Sequence, residues 1–263
     1  MSSRQTPGEV SKLRRTGIGA AGVLVFIALW ELASRTGLIP QHIAPAASQA
    51  GAELLNLAMT ARFWEAVGDT LIAWAIGTVI VSAIAVAVGL VLGANPRLWA
   101  WLRSTVEALR PIPPIVLLPL AILVLGANRQ FTTVMIAQGV FWLLLIQVFY
   151  ASNDITPVAT DTAKVFRIGP ARRYFMIRLP AALPVMATAL RLGAAIALAV
   201  EIMSELIGGV PGVGQLLISA QAGNDLPLIY AITAFIGILG LAVATGLRAL
   251  EHLALRTHGP VES

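Results

Sequence analysis

The chain of 263 residues contains no cysteine, and only 12% of its residues are charged. The absence of cysteine excludes disulfide bonds, zinc–thiolate sites and thiol catalysis. Soluble globular domains carry about a quarter charged residues, so the low charge excludes that class. With 57% hydrophobic residues and a mean hydropathy of +0.83, the composition indicates an all-α, polytopic membrane protein.

Six apolar stretches are candidate transmembrane helices. They are residues 18–33, 71–92, 111–125, 131–150, 181–206 and 228–249. The first follows a basic segment, as in a signal peptide, but Trp30, Glu31 and the lack of a small-x-small cleavage site predict an uncleaved helix. Between the spans, residues 47–57 predict a weakly amphipathic helix, and residues 213–220 predict a re-entrant segment or a short helix.

The third apolar stretch contains several prolines and is predicted to be a broken helix. These are Pro111, Pro113, Pro114 and Pro119. A proline removes a backbone donor, and irregular backbone at membrane depth is tolerated only inside protein or beside a water-filled cavity. We therefore expect this span to lie inside the helical bundle.

The positive charges predict the orientation of the chain. With both termini cytoplasmic, fourteen basic residues lie inside and three lie outside, namely Arg35, Arg62 and Arg129. The inside group is Arg4, Lys12, Arg14, Arg15, Arg97, Arg103, Arg110, Lys164, Arg167, Arg172, Arg173, Arg178, Arg248 and Arg256. The same arrangement places the charged loop after the fourth span in the cytoplasm, where Arg172, Arg173 and Arg178 are expected to contact anionic lipid headgroups.

Residues 161–180 form the longest charged interruption of the apolar sequence. Thr156 and Pro157 are typical of a helix start, and Gly169 is typical of its end. Pro170 predicts a second short helix, and Pro180 predicts a third start. A helix carrying Asp161 on a polar stripe beside a less polar one can dock on a partner.

The spacing in this loop resembles the coupling loop of permease subunits in ATP-binding cassette (ABC) importers. That pattern is E-A-A-x3-G-x9-I-x-L-P, and the corresponding residues here are Asp161, Thr162, Ala163, Arg167, Ile177, Leu179 and Pro180. Asp161 replaces Glu, Thr162 replaces Ala, and Arg167 replaces Gly, with Gly169 two residues later. The resemblance implies that Asp161, Thr162, Ala163, Lys164, Arg167 and Gly169 couple the chain to an ATPase.

Three further segments resemble the nitrate, sulfonate and taurine branch of this family. They are RPIPPIVLLPL at residues 110–120, ALRLGA at 189–194 and ELIGGVPGVGQLL at 205–217. The resemblance implies a type I importer permease fold, with a cytoplasmic segment at 1–16, a first helix and external segment at 17–66, a permease core at 67–248 containing the coupling loop 152–180, and a cytoplasmic tail at 249–263. It also implies the inner membrane of a prokaryote as the location.

Several polar residues within the spans are candidates for the solute pathway. Arg191 lies eleven residues after Pro180, which places it roughly 16 Å into the fifth span. Because an intramembrane arginine costs about 2.5–3.5 kcal/mol unless it faces protein or water, it either meets an anionic substrate or pairs with a carboxylate such as Glu107 or with a backbone carbonyl.

Two further pairs, each spaced i, i+4, complete the pathway candidates. Glu201 and Glu205 share a face near the external end of the fifth span, where they line a gate, contact a binding protein or simply reach water. Gln138 and Trp142 either line the pathway or hold neighbouring helices together.

The glycine-rich segment at residues 208–214 lacks the G-K-[ST] ending of a phosphate-binding loop. We therefore expect no cofactor and no metal on this chain, which is not itself an enzyme, and ATP with magnesium on a separate ATPase subunit. The implied partners are two ATPase copies, a second copy of this permease, membrane lipids and an external solute-binding protein, with no nucleic acid. The predicted solute is a small anion such as a sulfonate, taurine, nitrate or a carboxylate.

Two other functions remain as alternatives. A secondary transporter driven by an ion gradient would carry carboxylates at the midplane, where the central spans show Arg191 instead. An intramembrane enzyme would need clustered catalytic residues, whereas His42, His252 and His258 fall in predicted loops or the tail.

Overall fold

The computed structural model describes residues 7–153, 165–166 and 168–256, and every regular element within these ranges is a helix. In chain order they are α1 (Pro7–Arg35), α2 (Ala47–Ala58), α3 (Ala61–Ala94), α4 (Pro96–Leu109), α5 (Pro114–Leu125), α6 (Arg129–Ile136), α7 (Trp142–Asn153), α8 (Pro170–Arg173), α9 (Leu179–Gly208), α10 (Val213–Ala222) and α11 (Leu226–Arg256). Two π-helical turns, Ala137–Phe141 and Tyr174–Arg178, join α6 to α7 and α8 to α9. The predicted all-α fold class is confirmed.

Five helical stretches in the described part are long and apolar enough to cross a membrane. They are Gly17–Arg35, Ala61–Ala94, Arg129–Asn153, Tyr174–Ala222 and Leu226–Leu253. A sixth span results if α4 and α5, which meet at an angle of 91°, are counted together. The six predicted spans therefore all fall on helices, although α3 begins at Ala61, ten residues before the predicted start at Leu71.

The chain divides into two compact units. The smaller unit comprises Met1–Ala61 and Ser219–Phe235. Within it, Glu31 on α1 accepts hydrogen bonds from the Ser48 N–H (2.9 Å) and hydroxyl (2.8 Å) at the start of α2. The Trp30 indole donates to the Pro45 carbonyl at 3.0 Å, and the Tyr230 hydroxyl donates to the Ile43 carbonyl at 3.2 Å. These bonds fix the irregular segment between α1 and α2.

The larger unit, Arg62–Ile218 with Ile236–Ser263, contains the main hydrophobic core. The core is centred on α6 and α7, where Phe131, Ile136 and Leu144 are fully buried. Small residues allow the neighbouring helices to approach closely. A Cβ at Gly77 of α3 would lie 2.6 Å from Cδ1 of Ile136, so glycine lets this side chain pack directly on α3.

Local sequence explains where these helices begin and end. The Asn128 side chain accepts hydrogen bonds from the N–H groups of Gln130 (2.9 Å) and Phe131 (3.0 Å), which caps α6. Gly126 ends α5 at a φ of +72°, and Gly209 ends α9 at +69°, in a region that favours glycine.

Candidate functional site

The predicted coupling segment is described only from Val165 onward. Asp161, Thr162, Ala163, Lys164 and Arg167 lie outside the described residues, so their contact with an ATPase stays a prediction. Val165 and Phe166 expose 79% and 73% of their surfaces. Gly169 is also exposed, and its carbonyl accepts a hydrogen bond from the Arg173 N–H at 2.9 Å. Two apolar side chains are thus presented to solvent directly before α8, which begins at Pro170 as predicted.

The expected new helix start at Pro180 is wrong, because α9 begins one residue earlier and continues directly from the π turn. The Leu179 N–H donates to the Tyr174 carbonyl, five residues back. A π turn displaces the backbone register by one residue, so a proline without an N–H fits immediately after it. Helical backbone therefore runs through residues 170–208 and joins the coupling segment to the far end of α9.

The predicted break in the third span lies between α4 and α5, at residues 110–113. Pro119 does not break the span, because α5 continues through it. The Gln138 side-chain amide donates to the carbonyls of Ile112 (3.1 Å) and Leu109 (3.4 Å), and it accepts from the Trp142 indole at 3.3 Å. Gln138 therefore supplies a donor to the Ile112 carbonyl and a second donor to the Leu109 carbonyl, which also accepts a hydrogen bond from the Ile112 N–H at 3.2 Å.

Gln138 and Trp142 also line a groove of about 530 Å³ between α5 and the α6–α7 helix. The other lining residues are apolar and include Leu117, Leu120 and Val124. Since its polar groups are engaged with the broken backbone, this groove is suited to apolar contact rather than to holding an anion.

Arg191 forms an ion pair with Glu251 of α11, with 2.5 Å between Nε and Oε2. The other carboxylate oxygen of Glu251 accepts a hydrogen bond from the Thr188 hydroxyl at 2.6 Å. The carboxylate suggested from the sequence, Glu107, instead pairs with Arg103 at 2.7 Å, one turn away on α4. Glu251 of α11 thus contacts two residues of α9, Thr188 and Arg191, which lie about one turn apart.

The partner of Arg191 lies near the end of α11. Glu251 is two residues before the end of the Leu226–Leu253 span. The side-chain contact therefore places Arg191 level with the last turns of α11. The depth of Arg191 in the membrane stays a prediction.

Beside this ion pair lies a second groove of about 350 Å³, which Thr78 and Ser82 of α3 also line. The hydroxyl oxygens of both residues are buried and have no hydrogen-bond partner among the residues that the structure describes. They lie one helical turn apart and so face the same side of α3. The groove brings two free hydroxyls and one guanidinium–carboxylate pair together between α3, α9 and α11.

Glu205 is fully buried beneath the glycine-rich segment that follows α9. Its carboxylate accepts a hydrogen bond from the Gly214 N–H at 2.8 Å, while the Thr70 hydroxyl of α3 accepts one from the Val213 N–H at 3.0 Å. A Cβ at Gly212 would collide with the Glu205 carboxylate. Gly212 and Gly214 are therefore required by close packing on Glu205, not by phosphate binding.

Glu201 is also fully buried, one turn before Glu205. Its two carboxylate oxygens have no hydrogen-bond partner, and the Thr132 hydroxyl that lies beside it donates to the Arg129 carbonyl at 3.1 Å. The expectation that these carboxylates reach water or contact a binding protein does not match their burial, because the glycine-rich segment folds over this end of α9.

Sequence reasoning missed Glu251, Thr70, Thr78 and Ser82. Glu251 had been assigned to the tail, although it is the one carboxylate in α11 and a lone charge on an apolar helix requires a partner. Threonines and serines within a span give no such signal in the sequence, because their hydroxyls can also donate to backbone carbonyls of their own helix.

Comparison with known proteins adds independent information. The profile of a family described as "binding-protein-dependent transport system inner membrane component" matches residues 84–254. The taurine transport system permease protein TauC of Escherichia coli (strain K12) is 24% identical over 254 residues, covering 95% of this chain and 92% of TauC. The bicarbonate transport system permease protein CmpB of Synechocystis sp. is 26% identical over 243 residues, covering 88% and 86%.

Solved structures share the fold at lower identity. An inward-facing structure of the MetNI methionine ABC transporter superposes with a TM-score of 0.65 at 19% identity, covering 77% of this chain and 99% of that chain. A bacterial ABC transporter that imports the acidic polysaccharide alginate gives a TM-score of 0.64 at 12% identity, covering 92% and 97%.

The expected permease fold is thereby confirmed, and the chain is a multi-pass membrane protein. Because the family profile spans well over half of its residues, the chain belongs to the binding-protein-dependent transport inner membrane component family, the membrane-spanning permease subunits of ABC importers.

Proposed function

We propose that two copies of this chain form the membrane pathway of an ATP-driven importer for a small anionic solute. The match of residues 84–254 to the permease family is the observation that carries the proposal. The chain has one candidate coupling segment, and a transporter with two ATPase subunits needs two such segments. A second copy about a twofold axis supplies the other segment.

The ATPase contact is proposed at residues 152–180, which include Asp161, Thr162, Ala163, Lys164, Arg167 and Gly169. Two observations support this assignment. Val165 and Phe166 are exposed apolar side chains on an otherwise charged segment, as a docking surface requires. The helical backbone of residues 170–208 then offers a stiff connection from this surface to the glycine-rich segment at the other end of α9.

The proposed solute class rests on the relatives. Taurine carries a sulfonate and bicarbonate is an oxyanion, so the solutes in the names of TauC and CmpB share an anionic group. The groove beside Arg191 supports this class, because a guanidinium group and the side chains of Thr78 and Ser82 line it. An external binding protein delivers the solute in this proposal, and ATP and magnesium bind only to the partner ATPase.

We also propose that both termini are cytoplasmic and that residues 67–248 form the transport core. The distribution of fourteen basic residues inside and three outside supports this orientation. It puts the segment around Val165 on the side where ATP is available, and the glycine-rich segment on the side of the binding protein.

Affinity purification of the tagged chain from its native membranes tests the ATPase partner. We expect an ATPase subunit to be recovered with the wild type and lost with Asp161→Lys. The matched control is Glu65→Lys, the same charge reversal at an exposed residue in the first turns of α3, outside the coupling loop. Failure to recover an ATPase with a folded wild-type chain would refute the proposal, and equal loss in both variants would refute the assignment of the coupling segment.

A further inference from the structure

A third groove lies at the C-terminal end of α3, away from the polar groove beside Arg191. It has a volume of about 480 Å³, and its α3 wall is formed by Leu90, Val91 and Ala94. The opposite wall belongs to α8, the following π turn and the start of α9, and consists of Arg173, Tyr174, Phe175, Arg178 and Leu179. Apolar surface therefore lines most of the groove, with two arginines at one wall.

A hydrogen bond joins the two walls of the groove, α3 and the π turn. The Tyr174 hydroxyl donates to the Leu90 carbonyl at 2.8 Å. This bond fastens the π turn to the last turns of α3. Tyr174 is only partly exposed, and its side chain lines the groove.

The π turn also brings the two arginines onto one face. In a regular α-helix, side chains five residues apart point about 140° away from each other. In a π turn the backbone bonds connect residues five apart, so Arg173 and Arg178 lie above one another. The Nε–H of Arg178 is buried without a hydrogen-bond partner, and among the described residues neither arginine forms an ion pair.

The groove lies at one end of a candidate membrane span. Leu90, Val91 and Ala94 are the last residues of the Ala61–Ala94 span. Val91 and Phe175 expose 58% and 65% of their surfaces and continue the exposed apolar face that Ile80 and Ile84 form on α3. A ligand here therefore meets apolar walls that merge with the lipid-facing surface, and a positive pair at the level of the headgroups.

We propose that this groove binds one anionic phospholipid, with its phosphate between Arg173 and Arg178 and an acyl chain along Leu90 and Val91. The guanidinium groups of Arg173 and Arg178, which both line the groove, supply donors for the phosphate oxygens. A free phosphate would leave the apolar walls without a function. One wall of the site belongs to the C-terminal part of the coupling loop 152–180, since Arg173 follows Gly169 by four residues.

Native mass spectrometry of the full chain, titrated with phosphatidylglycerol or with phosphatidylcholine of the same acyl chains, tests the site. We expect wild type to retain one phosphatidylglycerol, and the variant Arg173→Gln/Arg178→Gln to bind it about tenfold or more weakly. The matched control is Arg97→Gln/Arg248→Gln, which removes the same charge from two exposed positions outside the groove. This control is expected to retain wild-type binding.

A photoactivatable phosphatidylglycerol provides a second measurement on the wild type, independent of whether the double variant folds. Labelling at Val91 or Phe175 supports the proposal, and labelling confined to other surfaces overturns it. Equal binding of the two lipids, or equal loss in the control variant, would also overturn it. Full displacement by inorganic phosphate would show a simple anion site and would contradict a lipid occupant.

Discussion

At Glu205, a single buried carboxylate fixes the conformation of the glycine-rich segment after α9. The sequence motif there combines a carboxylate with glycines at close spacing, and the structure gives each a complementary role. The carboxylate accepts a hydrogen bond from the Gly214 N–H, and Gly212 and Gly214 leave room for the Glu205 side chain. The motif is thus explained by packing, although its residue types alone suggested only an exposed gate or contact surface.

Replacing Gly214 by alanine is therefore expected to destabilise the protein by about 1–3 kcal/mol. Its Cβ would lie 2.7 Å from the Ile202 carbonyl oxygen and 3.0 Å from the Leu206 nitrogen, both backbone atoms that cannot move aside. Gly223→Ala is the control, since its Cβ meets nothing closer than 3.6 Å. Thermal unfolding in detergent checks this, and equal midpoints for the two variants would contradict the packing account.

The ion pair of Arg191 with Glu251 is expected to stabilise the attachment of α11 to α9. A double-mutant cycle with Arg191→Gln and Glu251→Gln should give a coupling of about 1 kcal/mol, because interhelical polar contacts in membranes are typically of that size or smaller. The double variant should lose less stability than the sum of the losses of the two single variants. Strict additivity would show that the pair contributes nothing.

Among the elements, the broken span shows what a proline pattern can and cannot predict. The prolines at residues 111–114 correctly predicted a break, because consecutive prolines remove donors and restrict the preceding residue. Pro119 belonged to the same pattern, yet α5 continues through it. The partner that relieves the break, Gln138, lies 26 residues from Ile112 in sequence and could not be identified from local pattern.

Gln138→Leu is expected to destabilise the broken span by about 1–3 kcal/mol, because the Ile112 carbonyl would lose its donor and the Leu109 carbonyl would lose one of two donors. Gln147→Leu makes the same chemical change on the adjoining helix α7, where the amide lines a different groove. The unfolding midpoint and the rate of proteolysis near residues 110–113 measure the effect. Indistinguishable behaviour of the two variants would show that Gln138 does not brace the break.

The π turns explain why the helix boundaries departed from the predictions. Hydrophobic periodicity assumes 3.6 residues per turn, and a π turn inserts one residue without changing the residue types. The start expected at Pro180 failed for this reason. The spans themselves were predictable, because long apolar runs must be helical in a membrane.

At the scale of the whole molecule, composition and four short segments were sufficient to predict the fold class and the family. The family profile and the solved structures confirm both. The polar contacts between helices were not predictable, since Thr70 pairs with Val213 across 143 positions and Arg191 with Glu251 across 60. Such pairs depend on helix packing, which a single sequence does not encode locally.

The central claim, an ATP-driven importer of a small anion, is tested most directly by uptake. Native cells with and without the chain are given a panel of anions, including taurine, bicarbonate and nitrate, and depletion from the medium is measured by mass spectrometry. We expect uptake of one anion to depend on the chain, to survive collapse of the ion gradients while ATP is maintained, and to stop when ATP is depleted. Chain-dependent uptake that stops with the gradients while ATP remains would contradict the account, and the absence of any chain-dependent anion uptake would contradict the proposed solute class.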